Sequence, residues 1–219
     1  MKSKQTALII GATGATGKPL VQQLLANDDF GRIVVFVRKA LPIPHPKLVQ
    51  HVIDFDDVAS WQARVEGDVL FSCLGTTLKD AGSQAAQRKI DYDYQYAFAR
   101  IAKQNQVPRY VLVSANGANP QSRIFYSRMK GELEHAVMAL GFAQCVIARP
   151  SLLHRPDSRR TGENLGVHLL TALNRLGLFS KHRPLPTDKL AQALILADQQ
   201  ASCGLHILES RDIWRLVQA

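Results

Sequence analysis

Ser114, Tyr126 and Lys130 are the residues whose types and spacing could work on a carbonyl or an alcohol. In Tyr126-Ser127-Arg128-Met129-Lys130 a phenol and an ammonium stand four positions apart, so on a helix they share one face. The ammonium favours a phenolate over the neutral phenol, which makes Tyr126 a workable general acid or base. Lys130 also has the length to bond a nucleotide ribose. Ser114 closes the apolar run from Tyr110, where its hydroxyl could polarise a substrate carbonyl. A Tyr/Lys pair at this spacing is common on solvated helices. It gains weight here from following Ser114 and a glycine-rich turn.

That turn is Gly11-Ala12-Thr13-Gly14-Ala15-Thr16-Gly17, between the apolar run Thr6 to Ile10 and the amphipathic stretch Lys18 to Ala26. Gly11 lets the chain turn tightly after a strand, Gly14 lets backbone approach a pyrophosphate, and Gly17 permits close helix–strand packing. The N–H groups at the start of the following helix, with their partial positive charge, would face the phosphates. The seven residues therefore read as a phosphate-binding turn for a dinucleotide. A purely structural glycine turn is the alternative.

The far end of such a cofactor is read after the second strand, Ile33 to Val37. An Asp or Glu there would bond a ribose 2′-hydroxyl. The chain instead has Arg38-Lys39. Arg38 can pair with a 2′-phosphate and stack on adenine, and Lys39 adds charge, which favours NADP(H) over NAD(H). An ordinary exposed loop cation is the other reading of Arg38. Asp54-Phe55, after the third strand, could hold the adenine edge, although Asp54 also suits a helix N-cap. Gly11, Arg38, Cys73-Leu74-Gly75 and Ser114 all fall at strand ends, where open α/β sheets bind ligands.

The elements that would position these residues alternate. Strands are expected at Thr6–Ile10, Ile33–Val37, Leu48–Ile53, Val69–Cys73, Tyr110–Ser114 and Ala143–Ala148. Helices are expected at Lys18–Ala26, Gln84–Gln106 and Ser122–Leu140, the last stopped by Gly141. This order implies the α/β class: a Rossmann-type doubly wound parallel sheet with right-handed crossovers and a small C-terminal lobe. Beyond Pro150 the alternation loosens into a polar segment from His154 to Glu163. Helical patterns follow at Leu165–Leu176 and Asp188–Gln199, with a short strand at Leu205–Leu208. A single NAD(P)-binding domain over 1–219 is expected, with a dinucleotide-binding core at about 1–150 and a small substrate lobe at about 151–219.

With 219 residues, 46% of them apolar, the chain can build a sizeable core. It has no apolar run of the roughly 18–20 residues that a membrane span needs, and no signal-peptide pattern at its start. Cys73, Cys145 and Cys203 are few and widely spaced and read as small core residues. With them goes the expectation of a reducing, cytoplasmic compartment. The seven histidines show no ligand spacing, so no metal is expected. Trp61 and Trp214 read as packing residues. The net charge of +9 is concentrated in residues 121–190, with 11 Lys/Arg against 5 Asp/Glu. That surplus reads either as a surface for an anionic partner or as a solvated face. No interleaved aromatic pattern supports nucleic-acid binding.

Across about 150 residues the chain resembles the short-chain dehydrogenase/reductase superfamily. More narrowly, it resembles the extended and atypical branch that includes the HIV Tat-interacting protein and its bacterial relatives. The resemblance rests on the Gly11–Gly17 turn with its G-x-x-G-x-x-G spacing, on Cys73-Leu74-Gly75-Thr76-Thr77, and on Asp91-Tyr92-Asp93-Tyr94. It also rests on Tyr126 through Glu134 and on Arg149-Pro150-Ser151-Leu152-Leu153. It implies that Gly11, Gly14, Gly17 and Arg38 bind the cofactor, that Pro150 to Leu153 line the nicotinamide end, and that Ser114, Tyr126 and Lys130 form the catalytic triad. Two departures stand out. The Asn that completes a tetrad is replaced by the neighbourhood of Asp91 and Tyr92, and Ser114 is followed by Ala115 and Asn116, the latter able to share the carbonyl-polarising role.

Two functions follow. One is an NADP(H)-dependent oxidoreductase passing hydride between nicotinamide and a small carbonyl or alcohol substrate. The short C-terminal lobe ranks a sugar epimerase low. The other is an NADP(H)-binding regulatory or redox-sensing protein with little turnover that docks a protein partner. Asp188, in Leu185–Ala191, reads either as part of a segment near the substrate lobe or as an N-cap.

Overall fold

The computed structural model describes residues 4–154 and 184–218. Its strands are β1 (Gln5–Ile10), β2 (Phe30–Val37), β3 (Leu48–Val52), β4 (Val69–Ser72), β5 (Arg109–Val113), β6 (Gln144–Arg149), β7 (Leu153–His154), β8 (Leu185–Pro186) and β9 (Gly204–Glu209). Seven of them pair in one parallel sheet, in the order β3-β2-β1-β4-β5-β6-β9, and the two-residue β7 and β8 pair with each other. The chain runs outward from β1 through β2 to β3, then returns to β4 on the other side of β1. The crevice between the carboxyl ends of β1 and β4 is thus the switch point at which such sheets bind ligands. The short strand expected at Leu205–Leu208 is β9, which extends the main sheet beside β6.

Period-two alternation sorts the strand side chains into two layers. Ala7 and Ile9 face α1 (Gly17–Ala26) and α7 (Thr187–Gln200), while Leu8 and Ile10 face α5 (Tyr94–Gln104) and α6 (Phe125–Met138). The inner strands are apolar on both faces, as a sheet covered on both sides requires. Trp61, at the end of α2 (Val58–Trp61), stacks on Phe98 with centroids 4.0 Å apart, so it is a packing residue as expected. Short helices α3 (Leu78–Ala81), α4 (Gln84–Arg88) and α8 (Ser210–Leu216) are the other α-helices among the described residues.

Several expectations are corrected. The single helix expected over Gln84–Gln106 is α4 and α5 joined by a π-turn at Lys89–Asp93; it ends at Gln104, and Gln106 beyond it takes the left-handed region at φ 62°. Of the cysteines only Cys145 is buried: Cys73 is half-buried and Cys203 is exposed. Asp188 is not an N-cap, because Pro186 holds that position and Asp188 lies in the first turn of α7. The helix expected at Leu165–Leu176 lies outside the described residues. No helix among the described residues is long and apolar enough to cross a membrane.

Candidate functional site

The glycine turn occupies the switch point. Gly11 follows β1 with φ +81°, and a Cβ there would stand 2.4 Å from the Cys73 carbonyl atoms, so both strand ends close up only around glycine. Gly17 opens α1 against the same turn: a Cβ would fall 2.1 Å from the Gly11 oxygen. Gly14 lies between them and lines the open side. No side chain caps α1, and its first turn holds no acid, so Ala15 and Thr16 present an uncapped positive helix end to the cavity.

From this turn a trough runs both ways along the carboxyl ends of the strands. Toward β2 and β3 it comprises cavities of about 140 and 360 Å³ that share Arg38, Phe55, Ile90 and Tyr94. Toward β5 and α6 it opens into a cavity of about 540 Å³, which shares Gly14 and the Cys73–Thr76 segment with the smaller one. Arg38 stands exposed at one end with Asp54 and Phe55, while Ser114, Tyr126, Lys130 and Leu153 wall the other.

Asp54 lines the same cavity as Arg38, and Asp56 follows it in the loop after β3. Asp54 does not cap α2, whose N-cap is Asp57; its Oδ1 accepts the Asp56 N–H at 3.0 Å in a local turn. Asp56 pairs with Lys89 at 2.7 Å and accepts the Tyr94 hydroxyl at 3.1 Å, and these contacts hold its carboxyl below the usual range.

At the other end, Tyr126 is 40% exposed and Lys130 is 2% exposed, with the Lys130 ammonium donating to the Val113 carbonyl at 3.5 Å. Both line the large cavity from one face of α6, in keeping with their spacing. Gly131 lets the loop after β5 press on that helix: a Cβ there would lie 2.3 Å from backbone atoms of Asn119 and Pro120. Ser114 also lines the cavity, but its hydroxyl donates to Glu134. Glu134 is buried and ion-paired with Arg149 at 2.6 Å, so it can only accept. Ser114 therefore directs its one proton toward α6 and its lone pairs elsewhere.

Other expected residues are not brought to the trough. Ala12 and Gly17 are buried within the turn, and Lys39 is exposed outside the three cavities. Of Pro150 to Leu153 only Leu153 lines the large cavity; the Ser151 hydroxyl pairs with that of Ser210 at 3.0 Å. Asn116 is exposed and lines none of the three, its N–H donating to the Pro150 carbonyl at 3.0 Å. Cys73 lines the trough, and burial pushes its thiol up to about 12, so it stays a neutral wall group.

Gln87 and Thr76 line the large cavity, and the buried acids Asp91 and Glu134 bond its lining residues Thr76 and Ser114; nothing in the sequence alone assigned Gln87, Thr76 or Glu134 a role of its own. Asp91 is fully buried, with Oδ1 accepting the Thr76 N–H at 2.7 Å. The available signal lay on α6, where Lys130, Glu134 and Val137 fall on one helical stripe with two charges on a face that is otherwise core.

A strand, glycine turn and uncapped helix at the switch point of a parallel sheet, with a trough leading both ways, define an NAD(P)-binding protein of Rossmann type. The chain belongs to the NAD(P)H-binding family, whose model matches residues 11–159. Among curated proteins it is 32% identical over 206 residues to "Protein FMP52, mitochondrial" of Saccharomyces cerevisiae, covering 91% of this chain and 86% of that one. It is 36% identical over 219 residues to the Emericella nidulans protein of the same name, covering 95% and 93%. Among solved structures it is similar in fold to MoeE5 in complex with UDP-glucuronic acid and NAD (TM-score 0.71, 16% identity, 93% of this chain and 75% of that one). It is similar in fold also to a short-chain dehydrogenase/reductase family oxidoreductase from Burkholderia thailandensis (TM-score 0.68, 18% identity, 97% and 94%). The expected cytoplasmic compartment is corrected by the curated relatives, which are named as mitochondrial proteins. Few, widely spaced cysteines do not tell one compartment from another.

Proposed function

We propose that this protein is an NADP(H)-dependent oxidoreductase of the atypical short-chain dehydrogenase/reductase type, acting on a small carbonyl or alcohol substrate. The observation that carries the reading is that Tyr126 and Lys130 wall the same trough as the glycine turn. The Cys73–Thr77 and Tyr126–Glu134 stretches support the narrower likeness to the branch that includes the HIV Tat-interacting protein. The Gly11–Gly17 turn and the start of α1 would hold the pyrophosphate. Phe55 would flank the adenine, and Arg38 would take the 2′-phosphate. Arg38 is exposed at that end of the trough, where its guanidinium could meet a 2′-phosphate, and this supports NADP(H).

Nicotinamide, when bound, supplies or takes the hydride. The chain's part is proton handling and orientation. Tyr126 gives its hydroxyl proton to the carbonyl oxygen as it becomes an alkoxide, or takes it back in the reverse direction. The Lys130 ammonium would stabilise the phenolate so formed and would have the reach to bond the cofactor's ribose. Turnover of NADPH against a panel of carbonyls tests this with wild type and Tyr126→Phe. The variant is expected to lose at least about a hundredfold in kcat; turnover by both proteins at equal rates would overturn the role of Tyr126.

One observation favours a second reading, an NADP(H)-binding regulatory protein with little turnover that docks a protein partner. The Ser114 proton is engaged by Glu134, which leaves Ser114 as an acceptor rather than a donor to a substrate carbonyl. Tight NADPH binding without turnover of any carbonyl, together with partner capture that depends on NADPH, would favour it over the oxidoreductase.

A further inference from the structure

The large cavity has an apolar outer wall. Beyond the part it shares with the smaller cavity, its lining includes Leu78 at the start of α3, Ile124 and Phe125 at the start of α6, and Leu153 in β7. Leu78 is 48% exposed and Ile124 is 67% exposed, and large apolar groups gathered at the mouth of a cavity mark a surface that a ligand covers. Ile124 also breaks a local rule. It is the N-cap of α6, where Ser, Thr, Asp or Asn would bond a free N–H of the first turn, and its side chain makes no such bond. An exposed isoleucine there forgoes stability in the helix and gains none from the core, a pattern that belongs to functional sites. The polar groups nearby are engaged. The Thr77 hydroxyl caps α3 and donates to Asp80 at 2.9 Å, and the Gln87 amide donates to the Thr76 carbonyl at 3.1 Å. Among the described residues the cavity has one charged lining group, Lys130, and it is buried.

We propose that the substrate is an uncharged, lipophilic aldehyde or ketone, whose alkyl chain lies on the wall of Leu78, Ile124, Phe125 and Leu153 while its oxygen meets Tyr126. The proposal rests on the oxidoreductase reading and names the substrate class of that site. Tyr126 follows Ile124 and Phe125 directly in the chain and lines the same cavity, so the proton donor and the apolar wall stand together. In the reaction the carbonyl carbon takes a hydride from NADPH, leaving NADP+, and the carbonyl oxygen takes the Tyr126 hydroxyl proton. The product is the alcohol, and the phenolate regains a proton from water. Covering an alkyl chain on this wall supplies binding energy, at about threefold in affinity per methylene. A carboxylate or phosphate on the substrate would lose its hydration there, and Lys130, the one lining cation among the described residues, belongs to the cofactor side in this reading.

NADPH-dependent reduction of straight-chain aldehydes from butanal to decanal tests this in wild type and Ile124→Asp, with succinic semialdehyde as the carboxylate-bearing counterpart of butanal. In wild type, kcat/KM is expected to rise by about threefold per methylene. It is expected to be at least about tenfold lower for succinic semialdehyde than for butanal. Ile124→Asp places a favoured N-cap residue on α6, so it is expected to melt no lower than the wild type. It is expected to lose about tenfold in kcat/KM for octanal and less than about twofold for butanal. A flat length series, a preference for succinic semialdehyde, or equal losses for the two aldehydes in Ile124→Asp would overturn the proposal. If no carbonyl is turned over, the oxidoreductase reading fails, and the wall as a lipophilic ligand site is decided by saturation-transfer NMR of methyl ketones of increasing length with the cofactor-free protein. Binding is expected to tighten with length and to weaken in Ile124→Asp. Binding that is insensitive to length or to the substitution, or no binding at all, overturns that assignment too.

Discussion

Ser114 donates its hydroxyl proton to Glu134, and the oxygen that receives it, Oε1, also accepts the Arg149 Nε at 3.0 Å. The second carboxylate oxygen takes Arg149 Nη2 at 2.6 Å, and Arg149 reaches on to Glu209 at 2.9 Å. A network that reaches from the end of β5 through α6 and β6 to the end of β9 thus fixes the serine. Ser114→Ala is expected to cost about 1 kcal/mol of stability by removing one hydrogen bond, with the Glu134–Arg149 pair intact. Its effect on turnover is expected to be smaller than that of Tyr126→Phe. Equal losses in the two variants would show that the hydroxyl swings to the substrate during the reaction.

The glycine turn offers a cleaner test. Gly17→Ala places a methyl 2.1 Å from the Gly11 oxygen, where only backbone can yield. NADPH binding is expected to be lost, with a fall in melting temperature corresponding to at least about 2 kcal/mol. A variant that binds as the wild type does would mean that the start of α1 can shift without opening the turn.

Cofactor choice is expected to reside in Arg38, exposed at the end of the trough. Arg38→Ser should weaken NADPH binding by at least about tenfold through the loss of charge-assisted bonds to the 2′-phosphate. NADH binding should change little. Parallel losses for both cofactors would assign Arg38 to adenine stacking instead.

At the opposite ends of the strands, Asp198 is buried in α7, 3.5 Å from the Arg109 Nε, with Oδ2 unpartnered among the described residues. Burial raises its carboxyl to about 6, with Arg109 opposing and Asp68 adding to the rise. The folded state therefore holds a proton that the unfolded chain releases near pH 4. The stabilisation is present in full below that pH and is lost as pH rises through about 6, a change of up to about 3 kcal/mol. Asp198→Asn is expected to melt above the wild type at pH 7.5 and to converge with it near pH 4.5. Parallel melting curves across this range would contradict the assignment.

Much of the fold was legible because it is written in local periods. Strand-length apolar runs between glycine and proline punctuation located the six leading strands to within a few residues, and the Gly11–Gly17 spacing marked the switch point before any pairing was known. Tyr126 and Lys130 were legible for the same reason: four positions on one helix is a local relation. Asp91 was harder. The residues around it read as plain helix, whereas the structure has a π-turn there with the Asp91 carboxylate accepting the N–H of Thr76, 15 residues earlier.

The sequence by itself determined the alternation of strands and helices, the glycine turn, the basic end of the second strand and the helical face shared by Tyr126 and Lys130. All of these follow from spacing along the chain. Only the tertiary structure decided what each polar group bonds to. It turned the Ser114 proton to Glu134, 20 residues away, paired Asp56 with Lys89, 33 residues away, and added β9 to the sheet. The physical reason is that a buried charge or donor takes the partner that packing brings within reach. Packing joins residues by distance in space, which spacing along the chain does not encode.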